Sequence, residues 1–305
     1  MEAVGKTNLK KSSNHIKGIN HQNYWQRLKA YRTKPGSFLL LVLVLISAVI
    51  TISVLAFLLG YILIKGIPYL SLDLFSWKYT SENVSLMPAM INTLIMTGLS
   101  LLIAVPLGVF AAIYMVEYAK RGNKIVKVVR VMAETLSGIP SIVYGLFGLL
   151  FFVTALKWGL SIIAGAATLS IMVLPTIMRT TEEALIAVPD SYREGSFGLG
   201  AGKLRTVFRI VLPAAFPGIL TGVILAVGRI VGETAALIYT AGTAAEIPNN
   251  IMSSGRTLSV HMYSLSNNGL HTNQTYATAV VLLIIVVMIN ALSSFVAKKL
   301  GSKNK

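Results

Sequence analysis

The sequence contains no cysteine, which excludes a disulfide framework and a cysteine-ligated metal site. Charge is also scarce: 12% of the 305 residues are charged, whereas a soluble domain carries roughly 25%. Hydrophobic residues make up 54% of the chain, a fraction too high for intrinsic disorder. Together, these shortages exclude a water-soluble protein.

The chain has instead six long runs that contain almost no charge. The first, Ser37 to Ile64, is roughly 42 Å long as a helix, more than the ~30 Å hydrocarbon core of a bilayer. The others are Ala89 to Val116, Thr135 to Leu156, Trp158 to Met178, Gly218 to about Thr240, and Ala277 to Ala297. The sequence therefore predicts an all-α membrane protein with six transmembrane helices, the first an uncleaved anchor.

The net charge of +16 comes from 27 basic and 11 acidic residues, and the position of the basic residues predicts the topology. Four segments hold 22 of the 27: residues 1–34, the loop after the second span, the segment between the fourth and fifth spans, and the C-terminal tail. By the positive-inside rule, both termini are cytoplasmic. A net charge this high often indicates a protein that binds nucleic acid. Here the basic residues are explained by membrane topology and by contacts with anionic lipid, so a nucleic-acid partner is not favoured.

The loops on the opposite side, 65 to 88 and 241 to 276, are long. The second is rich in Gly, Asn, Ser and Thr, which predicts irregular connections. Two interpretations stay open for them, a contact with an external partner and a solvated connector.

The fifth span contains the charged residues Arg229 and Glu233. As a continuous helix, this span places them on one face with Gly222 and Ala226, and a charge inside a span faces a bundle interior or a water-filled path. One interpretation is a structural pair between positions i and i+4. The other is that Arg229 binds an oxyanion bidentately and Glu233 accepts a proton from it, which favours phosphate over sulfate.

Two further sites lie in the third and fourth spans. Arg179 and Glu182 end the fourth span, either as an interfacial pair or at the inner mouth of a pathway. In the third span, Pro140 predicts a kink. Small residues on one face, Gly138, Ser141, Gly145 and Gly148, favour close helix packing, and the alternative is that Ser141 and Tyr144 donate to an anion.

The segment between the fourth and fifth spans contains an amphipathic pattern. Leu204, Val207, Phe208 and Val211 follow helical spacing, which predicts a helix on the inner membrane surface. Pro213 and Pro217 then mark a turn into the fifth span.

The same segment resembles the cytoplasmic loop of type I ABC importer permeases. The matching residues have the spacing E-x5-G-x9-I-x-L-P, with Gly195-Ser196 in place of the usual Ala-Ala; they are Glu194, Gly200, Ile210, Leu212 and Pro213. The resemblance implies the type I permease fold and a docking loop, residues 180–216, whose coupling helix contacts an ATPase. It also implies a permease core at 85–297. Charge and hydropathy predict a basic segment 1–36 and an anchor helix 37–64 before this core, and a cytoplasmic tail at 298–305 after it.

Three segments are similar to phosphate-specific permeases of the PstA type: Glu134 to Leu146, Leu174 to Glu182, and Gly228 to Ala235. This resemblance implies a bacterial inner-membrane subunit with Arg229, Glu233, Arg179 and Glu182 along the substrate path. It implies partnership with a PstC-type permease, a PstB-type ATPase dimer and a PstS-type external phosphate-binding protein. ATP and Mg would bind the ATPase, so this chain would carry no cofactor and no ATPase site of its own.

Alternatives remain from the sequence. An ABC permease for sulfate or molybdate would keep the docking loop and differ in the charges of the fifth span. A secondary transporter would follow an ion gradient. An intramembrane enzyme is the least favoured, because the chain has neither H-E-x-x-H nor G-x-S-x-G.

Overall fold

A computed structural model describes residues 35–120 and 122–302, and their regular structure is entirely helical. The chain divides into two compact units, one up to Gly60 and one from Tyr61 onward. The basic segment predicted for 1–36 lies almost wholly outside the described residues. Its structure and the predicted domain boundaries therefore stay predictions.

The α-helices of the described residues are numbered here in chain order. They are α1 Pro35–Gly66, α2 Met87–Ile113, α3 Lys124–Ser137, α4 Ser141–Gly148, α5 Ile162–Ile186, α6 Asp190–Gly198, α7 Lys203–Thr206, α8 Leu212–Gly232, α9 Ala235–Thr240, α10 Leu258–Asn268 and α11 Thr272–Ser302. Three π-helical turns extend them: Tyr114–Tyr118 follows α2, Leu149–Ala155 follows α4, and Val207–Val211 joins α7 to α8.

Six membrane spans are present if one bent pair of helices counts as a single span. Five helices are long and apolar enough to cross a bilayer: Gly36–Tyr69, Met87–Tyr118, Ile162–Ile186, Lys203–Gly232 and Thr272–Leu292. The sixth is the pair Lys124–Ser137 and Ser141–Ala155, bent by 103°. The predicted all-α membrane fold is confirmed.

The third span, predicted for Thr135 to Leu156 with a kink at Pro140, consists of two separate helices. Helix α3 ends at Ser137 and α4 begins at Ser141, so the predicted kink at Pro140 is a sharp break. Proline lacks a backbone N–H and disfavours helical conformation in the residue before it, which accounts for the position of the break.

Helix α5 forms the centre of the second unit, packed between α2 and α8. Small residues allow this close approach: a Cβ at Gly108 would overlap Ile177, and one at Gly222 would overlap Thr180. Buried hydroxyls also link α2 to α5, because Ser170 donates to the Ser100 carbonyl at 3.1 Å. Close contact through small residues, with a few hydroxyl hydrogen bonds between helices, is typical of helix bundles in membranes.

The segment 241–276 is more ordered than its composition predicts. Its second half forms α10, and Leu258, Val260 and His261 of this helix are fully buried. The Tyr79 ring of the other long loop stacks under the Arg256 guanidinium at 4.6 Å and meets the His261 ring edge-on at 6.1 Å. The interpretation as a solvated connector is therefore wrong for this half of the segment.

Candidate functional site

The predicted fifth span is broken at Glu233. Helix α8 ends at Gly232, Glu233 has an extended backbone (φ −72°, ψ 133°), and α9 starts two residues later. The Glu233 carboxylate Oε1 accepts a hydrogen bond from the Ala236 N–H at 3.2 Å, so it caps α9. The prediction of one continuous helix to Thr240 is therefore wrong. The break leaves the Ala236 N–H without a helical partner, and the Glu233 carboxylate accepts its hydrogen bond instead.

The break is also anchored from α10. Ser259 Oγ donates to the Glu233 carbonyl at 2.6 Å, and the Thr257 side chain caps α10 one residue before that helix begins. Glu233 itself is buried. The position of this acidic residue is thus set by hydrogen bonds from two different helices.

Arg229 lies half-buried one turn before the break. Within the described residues, no ion pair joins its guanidinium to a carboxylate, so the structural pair with Glu233 does not form. Arg229 is close enough to Tyr144 of α4 for an electrostatic interaction. The Tyr144 hydroxyl already donates to the Leu136 carbonyl at 2.7 Å. The arginine therefore keeps its bidentate donors available for an anion.

The second predicted pair has different partners from those expected. Glu182 binds Arg130 of α3 at 2.5 Å, while Arg179 binds Glu183 at 3.4 Å. The pairing of Arg179 with Glu182 is therefore wrong: residues four apart meet along the helix, and Glu182 faces α3 instead. Its side chain is 12% exposed, against 64% for Arg179.

These charged residues surround a cavity of about 750 Å³ between α3 and the end of α5. Arg130, Arg179 and Glu182 line it, together with Glu134 and Thr180. Its volume is sufficient for a small anion with its hydration water. Neither Arg229 nor Glu233 lines this cavity, so the four predicted path residues fall into two separate groups.

The segment predicted as a docking loop contains two short helices joined by a tight turn. Gly200 lies at φ +79°, a left-handed conformation that glycine adopts without strain. Across the turn, Ser196 and Thr206 share a hydrogen bond of 2.8 Å between their hydroxyls. Arg193 holds the loop to the bundle through Glu117 at 2.7 Å. The loop is therefore pre-formed and tied to the end of α2.

The five residues of the predicted docking motif occupy two environments. Glu194 and Gly200 are exposed, whereas Ile210, Leu212 and Pro213 are half-buried at the junction of α7 and α8. Leu199 is 90% exposed and Leu204 66%, so apolar side chains surround the exposed acid. A surface of this composition is typical of a protein contact site.

The predicted surface helix is instead the start of a span. The chain from Lys203 to Gly232 forms one continuous span, and Val207 and Val211 pack in the core with Met178 and Leu185. Pro213 directly follows the π-helical turn Val207–Val211, Pro217 lies inside α8, and the helix continues through both. The expected turn at Pro213 and Pro217 is therefore wrong.

Sequence reasoning missed two contacts that the fold creates. Arg130 appeared only as one of the basic residues that indicate topology, and Glu117 gave no signal at all. Both are paired across more than 50 residues of sequence, Arg130 with Glu182 and Glu117 with Arg193. Because each pair joins different helices, it can be identified only when the arrangement of those helices is known.

The sequence is similar to those of known transport proteins. The family model described as "Binding-protein-dependent transport system inner membrane component" matches residues 104–304. The chain is 36% identical over 240 residues to the probable ABC transporter permease protein YqgI of Bacillus subtilis, covering 74% of this chain and 81% of that protein. It is 37% identical over 222 residues to the phosphate transport system permease protein PstA of Haemophilus influenzae, covering 71% and 77%.

Solved structures share the fold at low sequence identity. A bacterial alginate ABC transporter in complex with its alginate-bound periplasmic protein matches with a TM-score of 0.67 at 16% identity, covering 92% of this chain and 99% of that one. The inward-facing methionine transporter MetNI matches with a TM-score of 0.55 at 19% identity, over 70% and 94%. The chain belongs to the family of binding-protein-dependent transport system inner membrane components, the permease subunits of ABC importers.

Proposed function

We propose that the chain is the permease subunit of an ATP-driven importer of inorganic phosphate. The observation that carries the proposal is Arg229, a half-buried arginine in a span, with no ion pair to any carboxylate of the described residues. An arginine inside a span costs about 2.5 to 3.5 kcal/mol on insertion scales, so its presence calls for a functional reason. Relatives of the chain named as phosphate transport permeases support this choice of anion.

Glu233 is the proposed source of selectivity for phosphate. One of its oxygens caps α9, while Oε2 accepts no hydrogen bond from the described residues. Phosphate at neutral pH carries an O–H that can donate to this oxygen, whereas sulfate has none and would meet carboxylate repulsion. Arg229 and Glu233 together would thus bind phosphate and reject sulfate.

Alternating access is the proposed mechanism. The span from Lys203 to Gly232 connects the docking loop to Arg229 as one helical rod, roughly 39 Å long from Lys203 to Arg229. A displacement of the loop by a closing ATPase would therefore reach the anion site directly. The Arg130 to Glu182 ion pair would close or open the 750 Å³ cavity at the inner mouth as the helices move.

The proposed complex contains a second permease of the PstC type, two PstB-type ATPases that bind ATP and Mg, and an external PstS-type phosphate-binding protein. The docking loop and both termini would face the cytoplasm of a bacterial cell. Support comes from the basic residues, 22 of 27 of which lie on that side.

Phosphate uptake with competing anions tests the proposed substrate. The assay uses proteoliposomes that contain the complete complex, labelled phosphate with the external binding protein, and ATP inside. We expect uptake that needs ATP and that excess sulfate or molybdate does not reduce. Sulfate-sensitive uptake would indicate another oxyanion permease, and uptake driven by an ion gradient without ATP would indicate a secondary transporter.

Charge reversal tests the docking loop. Glu194→Lys places a cation on the exposed face of α6, so co-purification of the ATPase should fall by at least tenfold. Glu246→Lys is the matched control, because Glu246 is also exposed but lies in the loop on the opposite side. Equal recovery of the ATPase with both variants would contradict the docking role.

A further inference from the structure

A separate cavity of about 430 Å³ lies where the end of α2, the start of α3 and the end of α5 meet. Five apolar residues line it, together called the apolar wall here: Met115, Val116, Ala119, Val126 and Ile186. Three basic residues also line it, Lys120, Lys127 and Arg130. The cavity thus combines a hydrophobic wall with a cationic rim.

Two of the three cations have no carboxylate partner among the described residues. Arg130 is already bound to Glu182 at 2.5 Å, and the acid at the end of α2, Glu117, is held by Arg193. No ion pair within the described parts of the chain reaches Lys120 or Lys127. Two uncompensated positive charges therefore lie beside an apolar surface, an arrangement that favours an anionic amphiphile over a free ion.

The cavity lies at the ends of membrane-spanning helices. It is located at the ends of two membrane spans, on the side proposed to be cytoplasmic. Helix α3 is bent by 103° from the helix that follows, and its exposed apolar residues Ile125, Val128 and Met132 share one face. A helix with this pattern lies along the membrane interface with its apolar face in the hydrocarbon and its lysines at the headgroups.

We propose that this cavity binds an anionic phospholipid of the cytoplasmic leaflet. The headgroup phosphate would lie between Lys120 and Lys127, and the glycerol and first acyl carbons would pack against Met115, Val126 and Ile186. Basic pockets between membrane helices on the cytoplasmic side bind anionic headgroups by this combination of charge and apolar contact. Free phosphate matches the lysines but leaves the apolar wall uncovered.

Native mass spectrometry of the purified full-length complex tests the site. The complex is titrated with phosphatidylglycerol and with phosphatidylcholine of the same acyl chains. We expect retention of phosphatidylglycerol in preference to phosphatidylcholine. Each lysine near a headgroup contributes about a factor of five, so the double variant Lys120→Gln, Lys127→Gln should retain phosphatidylglycerol about 25-fold more weakly.

Two further variants separate the cavity from diffuse surface charge. Lys124→Gln removes a cation of the same helix that does not line the cavity, and it should change retention less than twofold. Ala119→Leu fills the apolar wall without altering charge, and it should weaken retention severalfold. Equal loss with Lys124→Gln, or full retention with Ala119→Leu, would overturn the proposal.

A final arm distinguishes the lipid from a free anion. Inorganic phosphate added in excess should leave the bound phosphatidylglycerol in place, because phosphate cannot replace the apolar contacts. Displacement of the lipid by phosphate would overturn the proposal in favour of a simple anion site. Since every readout here is lipid retention, the outcome is independent of the phosphate uptake proposed above.

Discussion

Acidification should destabilise the protein through a single buried histidine. His261 is fully buried in α10, beside the Arg256 guanidinium and the Tyr79 ring. Burial, and then the positive charge of Arg256, lower the pKa of His261 to about 3, and the Val84 backbone beside the ring offsets a small part of this shift. The histidine is therefore neutral in the folded protein across the physiological pH range.

The magnitude follows from the two protonation states. In the unfolded chain the imidazole takes up a proton near its ordinary pKa of about 6.5, so the unfolded state binds more protons at any pH between about 6.5 and 3. The free energy of unfolding should fall by about 1.4 kcal/mol per pH unit in that window. Between pH 7 and pH 5, the expected loss is about 2 kcal/mol.

Thermal unfolding in detergent at several pH values measures this loss. His261→Phe keeps an aromatic ring against Tyr79 and cannot take up a proton, so its melting temperature should depend less on pH than that of the original protein. His271→Gln removes a half-buried histidine just after α10 and serves as the matched histidine control. A dependence that survives His261→Phe in full would refute the reasoning.

Two further predictions concern helix packing and the ion pairs. Gly222→Ala should destabilise the protein by about 1 to 3 kcal/mol in thermal unfolding, because the new Cβ overlaps Thr180. Gly98→Ala meets open space and should cause no such loss. The Glu182 side chain is 12% exposed and that of Arg130 51%, so in double-mutant cycles this pair should couple by about 1 kcal/mol. The Arg179–Glu183 pair, with side chains 64% and 67% exposed, should couple by at most about 0.5 kcal/mol. Equal coupling would contradict the assigned burial.

The sequence predicted the spans because a bilayer imposes a simple rule on composition. Twenty or more uncharged residues suffice to identify a span, so the number of spans and the helical class could be inferred without a structure. The break at Pro140 was equally predictable, since proline acts locally. The extent of the bend was not, because it depends on how α3 packs against α5.

The errors share one physical cause, the competition of side chains for partners in three dimensions. Periodicity placed Glu233 on the face of Arg229, but the carboxylate caps α9 instead. Spacing likewise paired Arg179 with Glu182, whereas Glu182 meets Arg130 of a different helix. A pattern along one helix contains no information about neighbouring helices, and these two sites depend on neighbours.

Phosphate uptake by Arg229→Gln tests the central claim most directly. The variant removes the positive charge from the span and leaves the docking loop intact, so the complex should assemble with its ATPase and lose phosphate uptake. Arg229→Lys keeps the charge without the bidentate donors and should retain only a small part of the activity. Normal phosphate uptake by an assembled Arg229→Gln complex would contradict the assignment of Arg229 to the anion path.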